Sequence, residues 1–236
     1  MANLAVEASA PALSPQEAYN LVSTVYDKRP WARFWHLNER PVVENWLYPS
    51  LRFLDAGCGT SPYLPLIAPY TQAYYGIDVS PGMLQMARQK HHVTRYLKVY
   101  WRRASLLYIP YQDQFFDAIL CNRVLSHVSD LNQAFAQFYR VLKPSKQCLI
   151  TDIHPRHHYT QTGFRLASGK IYVETFKHPL ASLRKQAERH GLRPKPGSYQ
   201  EYQLCDLPYQ PTEPQLADLY QHRSGKIFYS LILEKD

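Results

Sequence analysis

The chain has 236 residues, with 27 Lys and Arg against 19 Asp and Glu, a formal net charge of +8. This length suits one core with an extension, and no run approaches the roughly 18 apolar residues of a membrane-spanning helix. The four cysteines, Cys58, Cys121, Cys148 and Cys205, are scattered without a CxxC, which excludes a disulfide framework and a thiolate metal site and points to the reducing cytoplasm. The positive surplus draws anions in general, whether nucleic acid, membrane surface or an acidic small molecule, or is a solvated basic surface. The 19 tyrosines suit the wet edge of a core or a tyrosine-lined substrate pocket.

Residues 1–14 have no basic n-region and no long apolar run, so they read as a frayed terminus rather than a signal peptide. From Pro15 toward Trp46 the pattern is helical, with Ala18, Leu21, Val22, Val25 and Tyr26 spaced by three and four. Ser14 caps this helix and Pro15 is its first residue. Arg29-Pro30 breaks it; Trp31, Phe34 and Trp35 follow, then a second helix toward Trp46.

After Pro49 the period changes. Strand-like runs at 52–54, 73–77, 96–100, 116–121 and 147–152 enclose helical runs at 63–68, 81–91 and 131–142. That alternation predicts right-handed βαβ units on a parallel sheet covered on both faces. Residues 156–177 exceed the usual strand-to-helix link of about 2–6 residues. Ser168-Gly169 between GFRLA and KIYVETF reads as a hairpin turn, so this segment is expected to be a lid. A helix at 180–190 ends at Gly191. Runs 199–205 and 226–233 have no helix between them and predict an antiparallel pair closing one sheet edge, with the Pro- and Gln-rich 207–225 as an excursion. The expected division is residues 1–49 as extension and helical cap and 50–236 as the main domain, with the lid inserted at about 156–177.

The stretch RFLDAGCGTSPYL carries Gly57, Cys58 and Gly59 right after the first strand, where a doubly wound sheet binds its ligand. Glycine lets backbone approach that ligand without a Cβ. No GK[ST] follows, so a P-loop is excluded. Pro62 takes the place of the third dinucleotide-fingerprint glycine, which packs the helix beneath a pyrophosphate. A nucleoside without a pyrophosphate remains. Asp55 ends the first strand and Asp78 the second. A carboxylate at the second strand's end can accept both ribose hydroxyls. Ser80-Pro81 opens the next helix, and Ser80 supplies its cap.

LDAGCGTS followed by GIDVSPGMLQMAR resembles the motif pair of class I S-adenosylmethionine-dependent methyltransferases. The run IPYQDQFFDAILCNRVLSHVSDLNQAFAQFYRVLKPSKQCLITDIHP is similar to the middle of their ubiquinone-biosynthesis-type branch. The resemblance covers about residues 51–155. It implies a Rossmann-like, seven-stranded, mostly parallel α/β sheet in the order 3-2-1-4-5-7-6, strand seven antiparallel. It implies S-adenosyl-L-methionine as cofactor and S-adenosyl-L-homocysteine as product. By position, Asp55, Gly57, Cys58 and Gly59 surround the methionine moiety, Asp78 takes the ribose and Val79 packs on adenine. Ser105, with Leu106 beside it, falls where the family usually presents an acid to the adenine amino group, and Ser61 replaces the third glycine of the family's turn. Cys121 and Asn122 fall where the family's backbone touches the methionine amine. The N-terminal helices, carrying Tyr19, Tyr26, Trp31 and Trp35, are expected to close the pocket with the lid, Tyr26 against the cofactor.

Methyl transfer from a sulfonium is an in-line displacement, for which positioning can contribute ~7–11 kcal/mol. An oxygen or carbon acceptor also loses a proton, for which histidine is suited near neutral pH. His154, in TDIHP, is expected to face the substrate. His127, in LSHVSD, either packs under the cofactor or serves as that base. His154, His157 and His158 have no carboxylate beside them and read as solvated loop histidines, with no metal expected. The expected acceptor is a small molecule with an oxygen, nitrogen or carbon nucleophile, aromatic or anionic. An RNA or protein methyltransferase and a non-catalytic cofactor-binding subunit are the alternatives. Against RNA stand the lack of an NPPY-like tetrapeptide and of a Lys/Arg stripe; a homodimer stays open.

Overall fold

In the computed structural model, residues 12–91, 97–157, 161–210 and 225–236 are described. The chain enters through a capping box. Ser14 Oγ accepts the Glu17 amide while the Glu17 carboxylate accepts the Ser14 amide, which satisfies two otherwise orphaned donors. With Pro15 at the first position, these set helix α1 (Pro15–Val22), whose Ala18 and Val22 are buried. After a 3₁₀ turn, Pro30 opens α2 (Pro30–Trp46). Here the structure differs from the sequence reading: Pro30 is the first residue of the second helix, so Trp31, Phe34 and Trp35 lie on α2. Proline's missing N–H is no loss at that position.

Strands β1 (Ser50–Ala56), β2 (Thr71–Asp78), β3 (Lys98–Arg103), β4 (Phe116–Asn122) and β5 (Leu142–Ile153) pair in parallel. Helices α3 (Leu64–Ile67), α4 (Pro81–Lys90) and α5 (Leu131–Val141) alternate with them. Six consecutive buried residues in β4 mark the sheet centre, as a strand covered on both faces requires. One face packs Leu54, Ile77, Ile119, Phe135 and Phe138 together with Leu183 of α6 (Leu180–Arg189). The other packs Phe53, Tyr74 and Leu120 under Val43 and Trp46 of α2.

The hairpin of β6 (Gly163–Leu166) and β7 (Gly169–Tyr172) stands outside the main sheet. It is tied to the N-terminal segment, because Leu13 bridges Val173, with Leu13 N donating to Tyr172 O and Glu174 N to Leu13 O. Beyond α6, β8 (Leu192–Pro194) and β9 (Gln200–Gln203) both pair antiparallel with β10 (Lys226–Lys235), which itself runs antiparallel to β5. The main sheet therefore has eight strands, ordered β3-β2-β1-β4-β5-β10-β8 with β9 also on β10. The expected order 3-2-1-4-5-7-6 is recovered when β8 and β9 are taken as one broken strand. Pro194, which has no N–H to donate, and Gly197 at φ 73° lie at the break. β10 is thus an inner strand, and the edge belongs to β8 and β9. The expected start of the third strand at residue 96 and most of the 207–225 excursion lie outside the described residues, as do residues 1–11 and His158. Among the described residues no helix is long and apolar enough to cross a membrane.

Candidate active site

Parallel β1 and β2 end side by side, Ala56 against Ile77, and the glycine turn folds over their tips. Gly57 N and Cys58 N both donate to Ile77 O, at 2.8 and 2.9 Å. Gly57 has φ 81°, and a Cβ there would stand 2.3 Å from Val124 Cγ2. Gly59 has φ 53°, and its Cβ would meet nothing within 4 Å; it would project into an open cleft. Asp78 braces the turn from the next strand. Its Oδ2 accepts Gly59 N at 2.9 Å and its Oδ1 accepts Ser80 N at 2.8 Å, while Ser80 Oγ caps α4 through Met83 N at 3.1 Å. Asp78 thus has a structural role beside any ligand role, and each carboxylate oxygen keeps a further lone pair. Burial pushes its pKa up to about 6 against these hydrogen bonds. Asp55, accepting Tyr74 Oη at 2.6 Å, is pushed to about 7, chiefly by burial.

The cleft, of about 110 Å³, brings together Asp55, the 57–59 turn, Asp78 and Val79 on one side, with Leu106, Asn122, Tyr26 and His127 opposite. Two expected site residues, Ser105 and His154, lie elsewhere, and a third, Cys121, has its side chain turned from the cleft. Ser105 turns away: its Oγ accepts Leu107 N at 3.1 Å, and Ala104 and Leu106 reach the cleft in its place. Cys121 is wholly buried in the core, because side chains alternate along a strand and Asn122 takes the cleft-facing position. His154 is also buried, with both ring nitrogens engaged. Nδ1 accepts the Arg156 amide, so Nε2 carries the proton and donates to Glu201 at 3.1 Å. That leaves no lone pair for a proton, and the ring faces β9 rather than the cleft.

His127 is arranged oppositely. Its Nδ1 lies 2.7 Å from the Glu174 carbonyl oxygen, which can only accept, so Nδ1 holds the hydrogen. Nε2 is then the lone pair that accepts Tyr19 Oη–H at 3.0 Å. Burial lowers this imidazole's pKa, against the pull of Glu174 O and Asp152, which keeps it neutral and able to take a proton.

Beside the cleft opens a larger cavity of about 590 Å³. Four residues line both spaces: Tyr19, Tyr26, Arg123 and His127. Sequence reasoning missed Arg123, which follows β4 at φ 53°, a strained conformation for a non-glycine residue. Its Nε donates to Glu39 Oε2 at 2.9 Å, and its guanidinium lies 5.5 Å from the Trp35 ring centre. Glu39, fully buried on α2, also accepts Thr151 Oγ1, which in turn accepts Asn122 Nδ2. Burial lowers the Arg123 pKa, but the Tyr26 phenol and Glu39 outweigh it and hold the guanidinium charged. Burial pushes the Glu39 carboxyl up. Tyr63 was missed too; it lines the cleft, and its buried hydroxyl has no hydrogen-bond partner among the described residues. No motif marks Glu39 or Tyr63; only the fold carries α2 and α3 to the turn.

These features fit a nucleoside–amino acid ligand. Asp78 has lone pairs for a sugar diol, and Val79, Met83 and Leu106 give an apolar slot for a base. Asp55, Arg123 and the orphaned Tyr63 hydroxyl offer both signs of charge partner to an amino acid. Residues 54–150 match the methyltransferase domain family. A demethylmenaquinone methyltransferase of Lactiplantibacillus plantarum is 32% identical over 49% of this chain and 52% of that protein. A 2-phytyl-1,4-naphthoquinone methyltransferase of Nostoc punctiforme is 26% identical over 71% and 74%. The chain spans about half the length of the first of these relatives. In structure, an S-adenosylmethionine-dependent methyltransferase of Mesorhizobium loti superposes with a TM-score of 0.64 at 18% identity, over 84% of this chain and 98% of that one. The matched segment is thus similar to the methyltransferase domains of quinone-methylating relatives, on the fold of class I S-adenosylmethionine-dependent methyltransferases. Its cofactor is S-adenosyl-L-methionine.

Proposed function

We propose that this protein transfers a methyl group from S-adenosyl-L-methionine to a small-molecule acceptor seated in the 590 Å³ cavity. The cofactor supplies a methyl carbon on a positive sulfur, which departs as the neutral thioether of S-adenosyl-L-homocysteine. The protein's part is to position, to exclude water and to take a proton. Asp78 holds the sugar; Asp55, Tyr63 and Arg123 hold the amino-acid end. Helices α1 and α2 with the turn between them, and the β6–β7 hairpin, together roof the cavity, with Phe164 packed 5.4 Å from the Tyr19 ring. The unpaired thiols of Cys58, Cys121, Cys148 and Cys205 support a reducing, cytoplasmic setting. The relatives named for naphthoquinone and menaquinone substrates support a flat ring as acceptor, and the tyrosine- and tryptophan-rich walls agree.

The observation that carries this reading is the boundary shared by cleft and cavity, with the lone pair of His127 Nε2 on it. As the acceptor hydroxyl attacks, its proton passes to Tyr19 Oη and the Tyr19 proton to Nε2. The resulting imidazolium keeps its Nδ1–H bond to Glu174 O and gains from Asp152. Aligned general-base catalysis of this type contributes typically 10²–10⁴-fold. Incubation with methyl-labelled cofactor and a panel of phenols and hydroquinones should release S-adenosyl-L-homocysteine. His127→Gln should lower kcat about 100-fold or more while the cofactor KM moves only a few-fold. Unchanged kcat in that variant would remove His127 from the chemistry. Cofactor binding without turnover on any acceptor would favour a non-catalytic subunit.

A further inference from the structure

The cavity beside the cofactor cleft is cationic. Arg29, Arg123, Arg165 and Lys170 line it, and among its described lining residues there is no Asp or Glu. Nearby acids are committed elsewhere: Asp27 binds Lys90 and Thr60, Glu39 binds Arg123, and Glu17 closes the α1 capping box. Arg29 is the informative cation. It is half-buried, its guanidinium lies 4.7 Å from the centre of the Phe164 ring, and it pairs with no carboxylate among the described residues. Burial lowers its pKa, so its charge is held at a cost that a ring face offsets only in part. Arg165 and Lys170 stand on the hairpin and likewise pair with no described carboxylate, Lys170 lying 4.7 Å from the Tyr172 ring centre.

The order of these groups gives the cavity a direction. Arg29 lies against Phe164, Phe164 meets Tyr19 at 5.4 Å between ring centres, and Tyr19 bonds His127. A chain of aromatic faces therefore runs from an unpaired cation to the base. Resting on the methyl-transfer reading above, we infer that the acceptor is an aromatic anion. Its carboxylate or phosphate meets Arg29 and the hairpin cations, its ring lies along Phe164, and its nucleophile reaches the Tyr19–His127 pair from the opposite end. Charge-assisted pairs to these cations favour such a ligand over a neutral one of the same shape.

The test uses two probes matched in shape, 6-hydroxy-2-naphthoate and 6-hydroxy-2-naphthamide. Each is titrated calorimetrically into the full chain saturated with S-adenosyl-L-homocysteine. The naphthoate should bind at least tenfold tighter at low salt. Arg29→Gln combined with Lys170→Gln should erase most of that preference while S-adenosyl-L-homocysteine affinity stays within about threefold. Equal affinity for the two probes, no binding of either, or a preference that survives the double substitution overturns the inference. In each of those cases intact S-adenosyl-L-homocysteine binding leaves the methyltransferase reading standing. Failure of the protein to bind S-adenosyl-L-homocysteine overturns both.

Discussion

Replacing Asp78 by Asn removes the charge expected to hold the cofactor's sugar while keeping the side chain's shape. Its two oxygens now accept Gly59 N and Ser80 N. Asparagine has one acceptor oxygen, so one of these amides loses its partner, at about 1–3 kcal/mol of stability. Thermal unfolding without ligand should therefore drop by several degrees. Loss of the charge-assisted contacts to the ribose should weaken S-adenosyl-L-homocysteine by tenfold to about a hundredfold at pH 7.5, that is ~1.4–3 kcal/mol. The pH dependence separates the two effects. With the free carboxyl near pKa 6, only about a tenth is ionised at pH 5, so wild-type affinity should fall about tenfold more than the variant's from pH 7.5 to 5. Asp55, near pKa 7 chiefly through burial and in smaller part through the Asp78 charge, titrates in both proteins, so the variant's own pH dependence serves as the reference. Calorimetry at the two pH values measures all of this. Equal affinities at pH 7.5, or the same pH dependence in both proteins, would refute the reasoning.

Further outcomes follow from the same geometry. Gly57→Ala places a methyl 2.3 Å from Val124 Cγ2 at φ 81°, so about 2–4 kcal/mol of stability should be lost. Denaturant titration should show Val124→Ala recovering the steric part only, and full recovery would mean that the backbone is not strained. Glu39→Ala leaves the Arg123 guanidinium beside an unfilled site and should cost about 3–5 kcal/mol; a loss under 1 kcal/mol in the same titration would show that the pair is not needed. Asp55 and Asp78 hold protons in the folded state that an unfolded chain releases near the ordinary aspartate value of 3.8. Their contribution therefore favours the free folded protein below about pH 4 and is lost as pH rises through 6 to 7. Asp55→Asn should flatten that part of the stability–pH curve in chemical denaturation; an unchanged curve would show that Asp55 does not titrate there. Tyr63→Phe removes the orphaned hydroxyl and should weaken S-adenosyl-L-homocysteine several-fold by calorimetry, whereas tighter binding would mean that the hydroxyl meets no ligand group.

The central βαβ alternation was legible because each run is long and its period plain. β4 reads as an apolar strand interrupted only by Asp117 before Asn122, and Ser14-Pro15 and Ser80-Pro81 announce their helices. The broken edge was not legible. Leu192-Arg193-Pro194 is three residues long and ends in proline, so it is a strand only because β10 lies beside it. In the site, DAGCG and GIDVS were legible because backbone geometry demands those residue types in order. Ser105 was misplaced by one position, since an aligned motif does not say which neighbour's side chain turns inward. His154 looked like a base from its place at a strand end, but its two hydrogen-bond partners come from Arg156 and from β9, and the latter cannot be read locally. Arg123, Glu39 and Tyr63 carry no motif; they meet through α2 and the turn after β4, which is tertiary information.

The most direct measurement is a crystal structure of the full chain soaked with S-adenosyl-L-homocysteine. The ribose hydroxyls should lie within hydrogen-bond distance of both Asp78 oxygens, with the thioether sulfur turned toward the boundary formed by Tyr19, Arg123 and His127. Density for the ligand elsewhere, or a cleft that refuses it while the protein stays folded, would contradict the assignment of this site.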